Sequence, residues 1–450
     1  MDAKKRRGRN WRRAAAFFAA GTLSVGMLAG CSENSSDTST SGDDEQISGG
    51  AVPVEGETRV DFWGWVPGLE DLVAQWNDEN PDIQVDFHRM TGDDGQKVEI
   101  AVDAGSGPDV VQLSSHDLPN YVINERVQDI TDYVSDIKDK FTPASWAQAE
   151  VGGRVYGVPQ GIGPAGMMYR EDIFKKHGVK VPETWDEFLE AGKALKKADP
   201  ELHISNIAPT EHGQWTQEVS QAGTSWYGIK DDKWVVSINS PESLEIAKRW
   251  QTLLDEDLVT TEQMWTPEYW ALLNQGKIAT VSYAAWFPLS LAENVADTTG
   301  LWRVAHMPTV AGSTAQGDSG GAVNVVLKGA KNPEAAAKFI AWLNGSDDTQ
   351  DALITVGGLF PSTITGLASD ALLAENEFFG GQVINEVFAE AADNTPDTWV
   401  EGPNFNKAKT SLGDEFSKVI TGKQTFVDAL NNTQEAVVSD MKSHGLDVSE

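Results

Sequence analysis

Few side chains in this sequence stand at spacings that would support catalysis. None of its seven histidines has a partner at the spacing of a zinc site, and no second cysteine accompanies Cys31. A single cysteine also excludes an intrachain disulfide. We therefore expect no metal centre, no cofactor and no catalytic residues.

The glycines of residues 161–166 match the GxGxxG spacing of dinucleotide-binding proteins, but their context does not. Pro164 occupies the turn, and the strand-like residues 167–169 follow where that motif requires a helix. We therefore interpret these glycines as structural and expect no nucleotide cofactor.

The 16 tryptophans and 7 tyrosines are the side chains best suited to ligand binding. A sugar has C–H groups on its ring faces and hydroxyls around its rim, so a sugar site combines flat aromatic surfaces with carboxylates or amides. Trp63 ends the first predicted strand, and Trp65 lies on the same face by the two-residue period. Trp399 lies in a loop between Pro396 and Pro403, which gives little reason to bury a tryptophan. These three are candidate cleft residues, although Trp63 would serve a core equally well.

The first 30 residues have the pattern of an export signal. Seven Lys or Arg precede an apolar stretch, residues 14–28, that is too short for a good transmembrane helix. The stretch ends in LAGC at residues 28–31, which resembles the lipobox of bacterial lipoproteins, whose cysteine is lipidated and becomes the mature N-terminus. We expect residues 1–30 to be a signal peptide and acylated Cys31 to anchor the protein in a membrane. The alternative is an ordinary cysteine beside a standard cleavage site.

Composition separates the rest of the chain into a tether and a body. Residues 31–58 are rich in Ser, Thr, Asp, Glu and Gly and cannot bury enough apolar surface to fold, so we expect a flexible tether. Without the leader the chain carries 28 basic and 67 acidic side chains, a net charge of −39, which repels nucleic acid. The body of roughly 390 residues exceeds the size of a single core and predicts two domains.

Short β-branched or aromatic runs alternate with amphipathic helices from Thr58 onward, a pattern typical of an α/β fold. Thr184, with Glu187 three residues later, predicts a capping box for a helix that ends near Lys197. Strands are predicted at 59–63, 83–87, 109–113, 280–283 and 323–327, and helices at 69–80, 96–103, 241–254, 333–344 and from Lys407 onward.

Several of these segments, in this order, resemble the family 1 extracellular solute-binding proteins, the maltose-binding-like receptors of ABC transporters. Each block is short, but together they cover the chain from about residue 59 to residue 450. The blocks are residues 60–65 with helix 69–80, 107–111, 157–159, 168–172, 182–188, 276–279 followed by Trp286, and 331–336.

The resemblance implies a two-lobed, periplasmic-binding-protein-like fold of type II, with ligand in the cleft between the lobes and closure about a hinge. It implies an N-terminal lobe of residues 59–160 and 315–372 and a C-terminal lobe of residues 161–314 and 373–450. It also implies a monomeric receptor on the extracellular face of a Gram-positive cytoplasmic membrane. Such a receptor captures a carbohydrate, a di- or oligosaccharide, and delivers it to the permease subunits of an ABC importer.

The resemblance further implies which residues contact the ligand. Trp286 coincides with a stacking aromatic of the family, Asp117 with a hydroxyl-binding aspartate, and Tyr169 with a tyrosine near the ligand. Packing in a core is the alternative for the aromatic residues, and a helix N-cap is the alternative for Asp117. Gly320 and Gly321 re-enter the first lobe, where a close backbone approach and a simple turn both fit.

Two other functions stay open at this stage. Gln160 stands where maltose-specific members carry an acidic residue, so the sugar is expected to differ from maltose. A non-sugar solute is the first alternative, although an anionic one would call for clustered Arg or Lys that the cleft loops lack. A secreted glycosidase is the second, and it needs two carboxylates about 5 to 10 Å apart across a sugar.

Overall fold

A computed structural model of the protein describes residues 58–90, 95–231, 233–396 and 398–449. These residues belong to one compact unit, Val54–Glu450. The predicted signal peptide, Cys31 and the predicted tether through residue 57 lie outside the described residues. Within the described ranges, no helix is both long enough and apolar enough to cross a membrane.

The strands are short and spread along the whole body. In chain order they are β1 Thr58–Gly64, β2 Ile83–Arg89, β3 Val110–Ser114, β4 Glu150–Val151, β5 Arg154–Val155, β6 Gly157–Ile162, β7 Ala165–Arg170, β8 Ser205–Asn206, β9 Tyr227–Lys230, β10 Lys233–Val236, β11 Val259–Thr260, β12 Thr280–Ala284, β13 Trp302–Ala305, β14 Ala322–Val326 and β15 Phe360–Pro361.

Helices separate most of these strands, and the predicted ones are found within two residues of their expected starts. They are α1 Leu69–Glu79, α2 Gly95–Asp103, α3 Leu118–Ile123, α4 Thr131–Val134, α5 Pro143–Ala147, α6 Glu171–His177, α7 Trp185–Ala198, α8 His212–Gln221, α9 Pro241–Asp255, α10 Pro267–Asn274, α11 Phe287–Asn294, α12 Pro333–Gly345, α13 Asp347–Thr355, α14 Ile364–Leu367, α15 Ile384–Asp393, α16 Phe405–Ile420 and α17 Phe426–Ser443.

The larger sheet has six strands in the order β15-β6-β14-β3-β1-β2. Strand β1 is parallel to β2 and β3, whereas β14 runs antiparallel to β3 and β6. Because successive side chains alternate between the two faces, Val110 packs into a core with α1 and α12, and Val111 packs into a second core with α3. Both faces of this sheet are therefore covered.

A second, smaller sheet has three antiparallel strands in the order β12-β7-β13. Neighbouring residues of β7 again enter different cores, Met167 with helices α7 to α9, α16 and α17, and Met168 with α10, α11 and α15. The chain thus builds two layered bodies of sheets and helices, as its alternating pattern predicts.

Local signals in the sequence account for individual helices. In α1 the buried side chains are Leu69, Leu72, Val73 and Trp76, which lie on one face at helical spacing. At the start of α7 the Thr184 side chain accepts a hydrogen bond from the Glu187 backbone N–H. The returning bond of the predicted capping box is displaced by one residue, since the Glu187 carboxylate accepts from the N–H of Glu183 rather than of Thr184.

The polypeptide passes between the two sheets at three places, which we call the chain crossings. Strand β6 stays in the larger sheet as far as Ile162, two residues beyond the predicted crossing at Gln160, and β7 begins the smaller sheet at Ala165. The second crossing lies between β13 and β14, and its Asp318 bridges to Pro164 of the first. The third lies between β15 and α15, which packs against β7 and β13. The exact lobe bounds stay predictions.

Candidate functional site

Backbone segments meet very closely where the first and second crossings run side by side. Gly320 has a φ of 70°, and a Cβ atom placed there would lie 2.9 Å from the His116 Nε2. A Cβ at Gly321 would lie 2.0 Å from the Gly161 carbonyl oxygen. Gly321 also exchanges two hydrogen bonds of 2.9 Å with Ser115 of the first lobe. Close approach therefore explains Gly321, and at Gly320 it combines with a left-handed φ that favours glycine in a turn.

Five aromatic side chains of the second lobe, which we call the platform aromatics, gather beside these crossings. The ring of Trp286 lies 6.0 Å from that of Trp265 at an interplanar angle of 21°, and 4.9 Å from the ring of Tyr283 at 82°. Trp270 and Phe287 complete the set, with ring centroids 5.8 and 5.5 Å from Trp265. Trp265 is 42% exposed, so the group combines a packed base with an open aromatic surface.

The platform aromatics stand where the lobes meet. Leu289 of α11 lies directly against Gly358 of the first lobe, where an added Cβ would be 2.7 Å from the leucine side chain. Glu211, just before α8, accepts hydrogen bonds from the Trp265 indole N–H at 2.8 Å and from the Tyr283 hydroxyl at 2.6 Å. Aromatic faces and a carboxylate thus come together at the lobe junction.

A second group of rings, which we call the cross-lobe group, joins His116 of the first lobe to Trp399 and Phe405 of the second. The His116 ring lies 5.8 Å from Trp399 at 30° and 5.9 Å from Phe405 in an edge-on arrangement. The Trp399 indole N–H donates to the carboxylate of Glu401, and His116 Nε2 is 3.5 Å from the same carboxylate. Trp399 therefore lies at the lobe junction and is partly buried.

Burial shifts the pKa values of the ionisable side chains in and around the cross-lobe group. It lowers the pKa of His116 to about 4, with a further contribution from Lys409, and it raises the pKa of the Glu401 carboxyl well above its usual value. The distance between them would suit an ion pair, but His116 is uncharged at neutral pH. Burial, then Lys409 and His116, also lowers the pKa of His212 well below its ordinary value. The junction therefore presents neutral imidazoles.

Asp117 forms an ion pair across the lobes instead of capping a helix. It occupies the N-cap position of α3, as the alternative predicted, but its carboxylate makes no capping bond there. The Lys409 ammonium of α16 lies 3.2 Å from the Asp117 carboxylate and 5.4 Å from the Phe405 ring. A second cross-lobe bond joins Asn406 to Glu99 at 2.9 Å. A ligand would compete with Lys409 for Asp117, whose ligand contact stays a prediction.

Three predicted residues lie apart from these two groups. Tyr169 is near the end of β7 remote from the crossings, about 13 Å along the strand from Ala165, with its ring edge-on to Phe174. Burial, together with nearby Glu171, raises the pKa of its hydroxyl. Trp63 and Trp65 are partly buried against the cores of the first lobe. None of the three makes a ring contact with Trp286, and their contact with a ligand stays a prediction.

Gln160 is buried and ties two strands of the larger sheet together. Its side-chain oxygen accepts a hydrogen bond from Gln112 at 2.6 Å, and Gln112 in turn accepts from the Trp65 backbone N–H at 2.8 Å. Gln160 therefore contributes to the packing of the first lobe, and the sugar preference inferred from it stays a prediction.

Sequence reasoning missed the residues that complete the site. They are Trp265, Glu211, His116, Glu401 and Lys409. Trp265 comes just before the Thr266-Pro267 start of α10, and its φ of 69° is uncommon for a bulky residue. This positive φ is the feature that marks Trp265 as unusual, and a backbone angle cannot be read from a sequence. Within the described ranges, no three His, Cys, Asp or Glu side chains are grouped so that they could hold a metal ion.

Comparison with known proteins assigns the family. Residues 64–350 match the model of the family described as bacterial extracellular solute-binding protein. The chain belongs to this family, so the resemblance drawn from the sequence blocks is confirmed.

Two curated relatives align over most of the chain. An arabinooligosaccharide-binding protein of Halalkalibacterium halodurans is 25% identical over 430 residues, which cover 90% of this chain and 93% of the relative. A lactose-binding protein of Rhizobium radiobacter is 24% identical over 355 residues, which cover 74% of this chain and 81% of the relative.

Two solved structures share the fold over nearly their whole length. The galacto-N-biose-/lacto-N-biose I-binding protein of an ABC transporter from Bifidobacterium longum, in complex with lacto-N-biose, is 30% identical with a TM-score of 0.80 and covers 88% of this chain and 99% of its own. An ABC transporter associated binding protein from B. animalis subsp. lactis, in complex with β-1,6-galactobiose, is 28% identical with a TM-score of 0.80. It covers 88% of this chain and 100% of its own. The two-lobed α/β fold predicted from the sequence is confirmed.

Asp318, at the second crossing, gives the protein a stability that depends on pH. Its carboxylate accepts the Gly320 N–H at 2.7 Å, yet burial outweighs this bond and raises the pKa to about 7. The folded state therefore retains a proton that the unfolded chain releases near pH 4. This contribution to stability is complete below pH 4 and is lost as the pH rises to 7.

We expect Asp318→Asn to remove this loss. The free energy of unfolding of the variant minus that of the unchanged protein should be larger at pH 8 than at pH 4, because only the unchanged protein loses stability over this range. We expect an increase of about 1 to 3 kcal/mol, because the residue is only partly shielded from solvent. Urea denaturation at both pH values measures it, and a difference that stays constant with pH would contradict the assignment.

Proposed function

We propose that this protein captures a carbohydrate between its lobes and delivers it to the permease subunits of an ABC importer. The observation that carries the proposal is the pairing of the Trp265 and Trp286 rings with the Glu211 carboxylate at the lobe junction. Aromatic faces suit the C–H faces of sugar rings, and the carboxylate holds the Trp265 indole at the junction. The uncharged imidazoles of His116 and His212 add hydrogen-bonding groups that suit a neutral ligand.

We propose a di- or oligosaccharide as the ligand. The platform aromatics and the cross-lobe group provide two separate aromatic surfaces along the junction, which is more than one sugar ring needs. The ligands named for the relatives, arabinooligosaccharide, lactose, lacto-N-biose and β-1,6-galactobiose, support the same class. A non-sugar anion is disfavoured because Lys409, the cation next to the cross-lobe group, is already paired with Asp117.

The experiment is a thermal-shift screen with these four ligands. At a hundred times its dissociation constant, a ligand that binds only the folded protein stabilises it by about 2.7 kcal/mol, so the melting temperature should rise by several degrees. The sugar should be recovered unchanged after hours at stoichiometric protein, because we propose binding without turnover. Hydrolysis of the sugar would instead support a glycosidase, and shifts with phosphate esters or peptides alone would contradict a carbohydrate ligand.

Trp286 is proposed to stack on a sugar face. Trp286→Ala should lose roughly 2 to 3 kcal/mol of binding free energy, which lowers affinity about 30- to 150-fold. Because Trp286 is only partly buried, the ligand-free protein should lose less stability than the Trp226→Ala variant, whose fully buried side chain costs about 3 to 5 kcal/mol. Calorimetric titration and ligand-free melting measure the two effects. Unchanged affinity with a large fall in melting temperature would return Trp286 to a purely structural role.

We further propose that acyl chains on Cys31 hold the receptor on the extracellular face of the cytoplasmic membrane, with residues 31–58 as the tether. The protein should partition into membrane fractions, and mass spectrometry should find a mature N-terminus at acylated Cys31. The Cys31→Ser variant should be released into the medium. An unmodified cysteine in membrane-associated protein, or cleavage at another position, would refute the anchor.

A further inference from the structure

Both carboxylate oxygens of Glu211 accept hydrogen bonds from neutral aromatic side chains. Its Oε2 accepts the indole N–H of Trp265 at 2.8 Å, and its Oε1 accepts the hydroxyl of Tyr283 at 2.6 Å. No described Lys, Arg or His side chain forms an ion pair with it. Glu211 directly precedes α8, and the two donors follow it by 54 and 72 residues.

Trp265 needs an external constraint to keep its conformation. Its φ of 69° is unfavourable for a side chain with a bulky Cβ substituent, and such strain persists only where the surroundings enforce it. Its ring is also 42% exposed, so burial alone does not hold it. Its indole N–H makes a charge-assisted bond to Glu211, and its ring lies near-parallel to Trp286.

Tyr283 links the same carboxylate to the chain crossings. Its hydroxyl lies against Gly213, where an added Cβ would be 2.5 Å from the tyrosine oxygen and 3.0 Å from the Ser319 hydroxyl. Ser319 in turn donates its backbone N–H to the Gly163 carbonyl at 2.9 Å. Burial first, and then the charge of Glu211, raises the pKa of Tyr283 well above its ordinary value, so its hydroxyl stays a donor at neutral pH.

We propose that Glu211 is a positioning residue that holds the indole of Trp265 beside Trp286, so that the two rings form one ligand-stacking surface. This role rests on the proposed carbohydrate-binding function, because the surface has a use only if a ring stacks on it. Glu211 acts through Trp265 and does not itself need to contact the sugar.

The first test needs no ligand and uses the indole 15N–1H resonance of Trp265 in the full chain, assigned by its loss in Trp265→Phe. Glu211→Ala should shift this resonance and increase the quenching of tryptophan fluorescence by acrylamide. Glu211→Gln should leave both close to the unchanged protein, because its amide can accept from the indole and donate to Tyr283. Glu268→Ala is the matched control, since that carboxylate is exposed and three residues from Trp265. An unaltered Trp265 resonance in Glu211→Ala would overturn the proposal.

The second test measures affinity for lactose and for β-1,6-galactobiose. Glu211→Ala should weaken binding roughly ten-fold, the equivalent of one charge-assisted hydrogen bond, and Glu211→Gln by less than about three-fold. In a Trp265→Phe/Tyr283→Phe background both donors are gone, so Glu211→Ala should change affinity little. A ten-fold loss retained in that background, or a similar loss in Glu211→Gln, would assign Glu211 a direct contact with the sugar and overturn positioning.

The two tests separate the proposals from each other. If neither sugar nor any other carbohydrate binds the unchanged protein, the proposed function fails, while the ligand-free resonance of Trp265 still decides whether Glu211 positions it.

Discussion

The close contact of glycine backbones at the chain crossings is the constraint on which the rest of the site depends. A Cβ at Gly163 would lie 1.7 Å from the Gly320 carbonyl oxygen, and one at Gly321 would lie 2.0 Å from the Gly161 oxygen. Real Cβ atoms do not approach other atoms so closely, so any larger residue would push the crossing strands apart. The contact fixes His116 against Gly320 on the side of the first lobe. On the side of the second lobe it brings Ser319 to the Tyr283 hydroxyl, and therefore to the platform aromatics.

Electrostatics at the lobe junction follows from burial more than from the number of charges. The chain is strongly acidic, yet Glu401 and Asp318 hold protons more tightly than free carboxyls because partial burial disfavours the charged carboxylate. The imidazole of His116 loses its charge for the same reason. Lys409 supplies a positive charge next to Asp117 and so joins the lobes without a ligand. The outcome is a junction rich in hydrogen-bonding groups with few free charges, which suits a neutral polyol better than an ion.

The sequence by itself determined the local elements and the family. Strand β1 and helix α1 follow from a run of β-branched and aromatic residues and from apolar positions at helical spacing, which are properties of consecutive residues. The Thr184 cap of α7 is equally local, although the partner of Glu187 differs from the expected one by a residue. Short blocks in a fixed order were sufficient to identify the family, because together they span the chain. They also implied the two-lobed fold.

Only the tertiary structure decided which side chains share the site. Trp286 was accessible to sequence reasoning because it coincides with a stacking aromatic of the family, whereas Trp265 lies beside it and donates a hydrogen bond to Glu211, 54 residues earlier. Asp117 had a local explanation as a cap, and a cation 292 residues away took its carboxylate instead. Tyr169 belonged to a matching block and still lies at the far end of its strand. Periodicity and capping depend on neighbours in the chain, whereas the site depends on contacts between distant segments, and these exist only once the two lobes have packed.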